Sequence, residues 1–364
     1  MTRAKQSLAR LAALVCGAQS AACSLLGGVH VETLGTSTQK PSNVAVYVGV
    51  TEGDQPVTEL EAKNFRIYEN GQALDSRQVE RVLLSRALVT HERVLLLVDL
   101  SGNPTPERRA EYARAIEAFV RKLSESLTVS VRAYDGSPGL QSVGDYPRGT
   151  TTFSAAAVLK ASSKDQSRDL HGAVVAGLGE LDRAAQASAK PIELGTLVVF
   201  SKGPDLAGRT PDDQLDAALD KTQHDVIGIG IGEDNPYLGF ARGGVIHAQG
   251  PDTLPIAFEE AGARVAATHA KYYLVAYCSP ARAGMRRVRV EVVHEDKDGD
   301  EHSGSVDVEI DATGFGPGCN PLTTPRFAPP RSADAAEGGA RINHSDSTDA
   351  GAVVPPPRTG DYAK

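Results

Sequence analysis

Several features common in proteins are scarce in this chain of 364 residues, and each scarcity excludes something. There is no tryptophan, and aromatic residues make up only 5% of the chain, so the core has to be built mainly from Val, Leu, Ala and Ile. No hydrophobic run beyond the N-terminal segment approaches the length of a membrane span. The net charge is −8 and basic residues form no cluster, which argues against nucleic-acid binding.

The N-terminal segment has the three parts of a targeting signal. Three basic residues fall within the first ten positions, and a modestly apolar stretch over 11–22 ends in small residues just before Cys23. The segment resembles a bacterial lipoprotein signal, in which Cys23 would be acylated and become the mature N-terminus. Ser20 departs from the aliphatic residue that is usual in that motif, so cleavage without lipidation is an alternative.

The four cysteines fit export into an oxidising compartment. Cys16 would leave with the signal and Cys23 would carry lipid. Cys278 and Cys319 then remain as one possible disulfide pair, with two unrelated thiols as the alternative. A closed loop of about 40 residues would stabilise the fold by ~3–4 kcal/mol in the chain-entropy treatment.

Strand and helix patterns alternate through the middle of the chain. Unbroken apolar runs at 94–98 and 194–200 are typical of strands buried on both faces. Helical periodicity separates such runs, for example over 104–124 and 170–185. Strands joined by helices of this length imply right-handed crossovers, so we expect an α/β fold with a doubly wound, mostly parallel sheet.

Patterns typical of β-structure flank this region on both sides. Valines alternate with other residues over 44–50, an Asn-Gly turn at 70–71 predicts a hairpin, and further strands are expected between 272 and 310. Neither group has enough strands to close a core, so we expect them to pair into a β-sandwich-like region. The predicted segments are a signal peptide (1–22), a tether (23–43), an N-terminal β segment (44–90), an α/β domain (91–270), a C-terminal β segment (271–319) and a disordered Pro-rich tail (320–364).

The most informative stretch is the apolar run at 94–98 and the polar residues that follow it. Asp99, Ser101 and Asn103 place a carboxylate, a hydroxyl and an amide at alternate positions. Open α/β sheets bind ligands at the carboxyl ends of their strands. The sequence therefore predicts a ligand site at this end of the strand.

Several motifs, in a fixed order, resemble the von Willebrand factor A-type domain over about half of the chain. They are the strand that ends in Asp99-x-Ser101, a strand at 196–203 that ends in Ser-Lys-Gly, the glycine-rich strand at 226–232 and a closing strand at 272–277. The resemblance implies a protein that binds other macromolecules rather than one that catalyses a reaction. It also implies a metal-ion-dependent adhesion site, in which Asp-x-Ser-x-Ser, a Thr and an Asp hold Mg²⁺ or Mn²⁺.

Only part of that site is present in this chain. Asp99 and Ser101 match the first two positions, and Asn103 takes the place of the second Ser. The Thr position falls near Ser167 or Arg168, and neither is Thr. We therefore interpret the site as degenerate.

The position of the last acid of that site is occupied by Lys202. A lysine charge about 4 Å from a divalent ion means a repulsion on the order of 8 kcal/mol at an effective dielectric near 20. We expect that no divalent metal binds, and that the Lys202 ammonium takes the place of the cation beside Asp99. A solvated Lys202 is one alternative, and an intact Mg²⁺ or Mn²⁺ site completed by other residues is another.

An acidic turn offers a second candidate metal site. Asp296, Asp298 and Asp300 lie between two predicted strands and could bind Ca²⁺ weakly. Their spacing is not that of a twelve-residue calcium loop, so a polar hairpin turn is the favoured interpretation. We expect no other cofactor.

Together these features predict an exported protein of the cell envelope, most simply an outer-membrane lipoprotein that is anchored to the membrane by its lipid. Its expected role is non-catalytic binding or scaffolding of an unidentified envelope or extracellular protein. A metal-dependent adhesin is the first alternative. A phosphatase-like hydrolase is the second, because Asp99 with Lys202 resembles phosphatases that use an aspartate nucleophile. Those enzymes carry an acid where this chain has Ser101.

Overall fold

The computed structural model describes residues 28–327, apart from 54, 76, 78, 162 and 296–298. The predicted signal peptide, Cys23 and most of the predicted tail lie outside these residues. So do Asp296 and Asp298 of the acidic turn. The predictions made for them stay predictions.

Strands and α-helices make up most of the described residues. The strands, in chain order, are β1 (Val29–Gln39), β2 (Asn43–Glu52), β3 (Gln55–Pro56), β4 (Phe65–Glu69), β5 (Gln72–Ala73), β6 (Arg81–Leu84), β7 (Thr90–Asp99), β8 (Thr128–Tyr134), β9 (Gln141–Tyr146), β10 (Ile192–Phe200), β11 (Asp225–Ile231), β12 (Val245–Ala248), β13 (Tyr272–Cys278), β14 (Met285–Glu295) and β15 (Glu301–Asp311). The α-helices are α1 (Pro106–Leu123), α2 (Ala156–Lys160), α3 (Leu170–Gln186), α4 (Asp212–Lys221) and α5 (Leu254–Ala270).

A six-stranded sheet forms the centre of the α/β region, in the order β12-β11-β10-β7-β8-β9. All neighbouring strands are parallel except β9, which runs antiparallel to β8. The mostly parallel sheet is thus confirmed. From β7 the chain moves to β8 on one side and later returns to β10 on the other. The crevice at this reversal, between the carboxyl ends of β7 and β10, is where open α/β sheets bind ligands.

Helices cover both faces of this sheet because its central strand is apolar on both sides. Leu96 and Val98 of β7 pack with α1 and α5, whereas Leu95 and Leu97 pack with α3 and α4. The helix α1 begins at Pro106, two residues later than predicted, because the Thr105 hydroxyl accepts a hydrogen bond from the third residue of the helix and a proline follows Thr105.

Strands from the two ends of the chain pair with each other in two further sheets. One sheet has the order β1-β2-β13-β6, with β3 beside β2, and the other has the order β15-β14-β4-β5. The strands β2 and β13, and likewise β4 and β14, pair antiparallel. Side chains of both sheets, such as Val48, Phe65, Val290 and Tyr277, belong to one buried cluster. Both sheets therefore contain strands from both ends of the chain, and neither end forms this core alone.

The structure differs from the predicted tether at 23–43. Within that range, Val29–Gln39 forms β1 and pairs with β2 along its whole length. Val29 and Val31 are buried in the cluster shared by the two sheets. The apolar pattern is weak because most other side chains of β1 are at least partly exposed, so backbone pairing rather than side-chain burial defines the strand.

The structure also differs from the predicted disordered tail at 320–364 over its described residues, 320–327. Phe327 is buried beside Tyr47 and Leu274, on the face of the β1-β2-β13-β6 sheet that lies away from the shared cluster. The Ser37 hydroxyl donates to the Arg326 backbone oxygen at 2.8 Å and accepts from the Arg326 amide at 3.0 Å. Composition alone did not reveal this, because a single aromatic side chain anchors the segment.

A disulfide joins Cys278 at the end of β13 to Cys319, with their Cα atoms 5.7 Å apart. The predicted pair is therefore present. It holds the segment that leads to Phe327 against the sheet.

The acidic turn lies between β14 and β15, which pair with Glu295 opposite Glu301. Calcium binding there stays a prediction. Within residues 28–327 as described, none of the helices is long and apolar enough to cross a bilayer.

Candidate functional site

The candidate site lies in the crevice between β7 and β10. The two strands are parallel neighbours, and Val98 lies opposite Phe200 in their register. Asp99 ends β7, and Lys202 follows β10 two residues after Phe200. The carboxyl ends of both strands therefore bring Asp99 and Lys202 to the same edge of the sheet, as the sequence predicts.

Asp99 is fully buried, and both of its carboxylate oxygens already accept hydrogen bonds. Its Oδ1 accepts from the Ser101 amide at 2.8 Å. Its Oδ2 accepts from the Lys202 amide at 3.0 Å and from Arg168 Nε at 2.6 Å. The Lys202 ammonium lies 3.7 Å from Oδ1. Two cationic side chains thus surround one buried carboxylate.

The Lys202 side chain reaches across the crevice and is 21% exposed. Its ammonium donates to the Ser101 backbone oxygen at 2.6 Å. Burial lowers the pKa of Lys202, and the charge of Arg168 lowers it further, while Asp99 opposes both effects. The attraction of Asp99 therefore does not fully offset the loss of solvent around the ammonium.

Arg168 is the second cation of the site, and the sequence did not reveal its role. Its side chain is only 11% exposed, and besides the bond to Asp99 it donates to the Pro204 backbone oxygen at 2.8 Å. The Asp169 side chain caps α3 by accepting from the Gly172 amide at 3.1 Å, which fixes the helix start beside Arg168. The sequence placed Arg168 near the Thr position, but its charge was not considered as a partner for Asp99.

Two other residues predicted for the site do not reach Asp99. Asn103 adopts a positive φ of 49°, and its Oδ1 accepts from Arg109 at 2.8 Å. The Ser167 hydroxyl donates to Asp165 Oδ1 at 2.8 Å. The structure therefore brings together Asp99, Ser101 and Lys202 of the predicted set.

Asp135 supports the loop that carries Arg168, and sequence reasoning missed it. It follows β8, it is buried, and it accepts from the Lys164 amide at 2.6 Å and from the Ser137 amide at 2.8 Å. Burial raises the pKa of Asp135, but the hydrogen bonds from Ser137, Lys164 and Asp165 outweigh it, so the net shift is downward. The sequence did contain a signal for Asp135, since this acid directly follows a predicted strand of the parallel sheet.

No protein-family profile and no curated protein matches this chain. Among solved structures, it is similar to a von Willebrand factor type A protein from Catenulispora acidiphila, with 16% identity over 81% of this chain and 75% of that one and a TM-score of 0.38. It is also similar to the manganese-loaded TRAP protein of Plasmodium vivax, with 14% identity over 66% and 98% of the two chains and a TM-score of 0.37.

A third similar structure is the proximal thread matrix protein 1 of the mussel byssus, with 14% identity and a TM-score of 0.36. The matched region covers 49% of each of the two chains. TM-scores this low carry no argument about function. The contacts of this chain itself therefore decide what the crevice can hold.

The residues around Asp99 do not fit a divalent cation. Both carboxylate oxygens are engaged by N–H groups, and the charges of Arg168 and Lys202 lie where they would repel a metal ion. Across the described part of the chain, His, Cys, Asp and Glu form no group of three or more that could hold a metal. The crevice instead carries its own positive charge.

Proposed function

We propose that this chain is an exported, lipid-anchored protein of the cell envelope with a von Willebrand factor A-type domain. In this proposal it binds another protein without catalysis and without a divalent metal. The observation that carries the proposal is the burial of Asp99 between Arg168 and Lys202 in the crevice between β7 and β10. The crevice lies where open α/β sheets bind ligands. The side chains of Arg168 and Lys202 supply the positive charge that a metal ion would otherwise supply beside Asp99.

The surroundings of Asp99 favour binding over hydrolysis. A carboxylate nucleophile needs an oxygen that can reach the substrate. Asp99 is fully buried, and Ser101, Arg168 and Lys202 donate to its two oxygens. A role as the fixed centre of a binding surface fits this geometry better than attack on a phosphoryl or acyl group.

The start of β1 supports a position close to the membrane. An acylated Cys23 would be joined to Val29 by roughly 20 Å of extended chain at most. The two sheets built from both chain ends, which we interpret as a β-sandwich-like region, would then stand next to the lipid surface. The mass of the mature N-terminal peptide tests this, since an unmodified Cys23 would contradict the anchor.

Calorimetric titration with MgCl₂ and MnCl₂ tests the metal-free site. We expect no binding heat from the natural chain at micromolar to millimolar metal. The double variant Arg168→Thr, Lys202→Asp removes both cations and adds a carboxylate. We therefore expect it to be less stable than the natural chain without metal and to bind Mn²⁺, which then supplies the missing positive charge. The same variant with Asp99→Asn is the matched control and should lose that binding. Micromolar Mn²⁺ or Mg²⁺ binding by the natural chain would contradict the proposal.

A further inference from the structure

A cavity lies near the amino end of β7, at the edge of the central sheet opposite the crevice. Its volume is about 300 Å³, which is at the lower end of the range for small-molecule sites. It lies between the connection from β6 to β7, the strand β13 and the end of α5. Glu92 lines it, and Glu92 and Asp99 are seven positions apart on β7. About 23 Å of strand therefore separates this cavity from the crevice.

The Glu92 carboxylate is buried at this cavity with an oxygen that lacks a donor. The Glu92 side chain is 7% exposed, and its Oε1 accepts no hydrogen bond from any described residue. Two nitrogens approach this oxygen, Arg86 Nη2 at 3.6 Å and His269 Nδ1 at 3.5 Å, but neither forms a hydrogen bond with it. A buried acceptor in this state is costly, and a ligand that donates to it would remove that cost.

The neighbouring cation decides which kind of donor fits Glu92. A ligand ammonium on Glu92 Oε1 would lie close to the Arg86 guanidinium and would be repelled by it. A hydroxyl is uncharged and can donate to Glu92 while it accepts from Arg86. Arg86 Nη1 already donates to the His269 and Tyr272 backbone oxygens, whereas Nη2 forms no hydrogen bond within the described part of the chain. We therefore expect a hydroxyl between Glu92 Oε1 and Arg86 Nη2.

Arg148 adds a positive charge to the lining of the cavity. Its side chain is exposed and forms no ion pair with any of the residues that the structure describes. Outside the lining, Lys271 and Glu32 pair with each other at 3.7 Å, and Glu125 and Asp225 are exposed to solvent. The charged residues of the lining itself are two arginines and one glutamate, so the cavity favours a ligand that also carries an acid.

We propose that this cavity binds a sugar acid of one ring, with a hydroxyl between Glu92 and Arg86 and its carboxylate on Arg148. A sugar offers several hydroxyls that each donate and accept, as the Glu92 and Arg86 pair requires. The carboxylate of such a ligand matches the planar guanidinium of Arg148. This site is separate from the crevice, so the inference does not depend on the proposed function.

Calorimetric titration of the full chain with glucuronate tests the inference. Two further probes each lack one half of the ligand. Methyl glucoside has the hydroxyls without the acid, and cyclohexanecarboxylate has a ring and the acid without the hydroxyls. We expect glucuronate to bind, each of the other two to bind on the order of ten-fold more weakly, and added salt to weaken glucuronate.

Three variants separate the contributions of the lining residues. Arg148→Gln should weaken glucuronate about ten-fold and leave methyl glucoside unchanged, because Arg148 meets only the carboxylate. Its exposed side chain makes this variant safe for folding. Glu92→Gln should weaken both ligands, and the Arg148 variant decides the question even if Glu92→Gln folds poorly. The exposed Arg183 on α3 provides the control, and Arg183→Gln should bind like the natural chain.

Three outcomes would overturn the inference. They are no binding of glucuronate, equal binding of glucuronate and of either partial probe, and an Arg148→Gln variant that binds glucuronate like the natural chain. None of these results bears on the titration of the crevice with metal, so failure of this inference and failure of the proposed function are distinguishable.

Discussion

At the scale of single residues, the unusual feature is a buried carboxylate that is held by two cations of its own chain. Removing a carboxylate from water is costly unless it is paired and hydrogen-bonded. Asp99 meets both conditions through Arg168 and Lys202. Its partners are supplied by two loops that lie far apart in the chain, so the pairing also fixes those loops at the edge of the sheet.

Arg168→Ala should strongly destabilise the fold, because it removes the closest charge partner of a carboxylate that has no access to water. We expect a loss of about 3–5 kcal/mol in the free energy of unfolding by urea. Arg242→Ala is the matched control, since Arg242 and Asp220 form an exposed pair that should contribute little. Equal effects of the two substitutions would contradict the role assigned to Arg168.

The sequence predicted one of these two cations and not the other. Lys202 follows an apolar strand in a position where an acid was expected, so its charge stood out. Arg168 lies at the start of α3, where no pattern indicates which way a side chain points. Asn103 and Ser167 were predicted for the site because of their residue types. Their side chains instead form hydrogen bonds with Arg109 and Asp165.

At the scale of elements, the strands that were predicted well are those that bury side chains. The run at 94–98 lies within β7. The hairpin of β4 and β5 was predicted from its Asn-Gly turn at 70–71 instead, since both residues of β5 are exposed. The strands that were missed, β1, β3, β9 and β12, lie at the edges of their sheets. Edge strands bury fewer side chains, so backbone pairing defines them and the apolar pattern is weak.

The disulfide is a covalent constraint on the segment after β15. Replacing both Cys278 and Cys319 by Ser should lower the free energy of unfolding by ~3–4 kcal/mol, because 41 positions separate the two cysteines. Unfolding by urea, followed by circular dichroism, measures this loss. A reducing agent should give the same loss in the natural chain and none in the double variant. An unchanged stability in both cases would show that Phe327 holds the segment without the disulfide.

At the scale of the whole molecule, the chain closes its second core only after the α/β region is complete. The strand β2 pairs with β13, and β4 pairs with β14, each more than 200 residues later in the chain. The two ends are therefore inseparable parts of one fold. A division into independent N-terminal and C-terminal β segments does not describe how the core is built.

Buried tyrosines should make the protein sensitive to alkali. Burial raises the pKa of Tyr134 and of Tyr277 well above 10, and that of Tyr112 is raised for the same reason. In the unfolded chain tyrosines ionise near pH 10. Their contribution to stability is therefore complete below pH 10 and is lost as the pH rises above it, by up to about 1.4 kcal/mol per pH unit for each tyrosine.

Urea unfolding at pH 8, 10 and 11 measures this effect, and tyrosine absorbance at 295 nm follows the ionisation itself. The natural chain should lose stability more steeply above pH 10 than Tyr134→Phe does. Equal pH dependence of the two proteins would contradict the assignment. The comparison of slopes separates ionisation from the single hydrogen bond that Tyr134 donates to the Phe200 oxygen.

The sequence by itself determined the α/β class, the order of the central elements and the position of Asp99 at the end of β7, because these follow from local apolar periodicity and the residues that end it. It also determined that the acid expected at position 202 is a lysine. Only the tertiary structure decided that Arg168 joins Asp99, that residues 29–39 form a strand and that Phe327 is buried. These depend on contacts between distant parts of the chain, which no local pattern encodes.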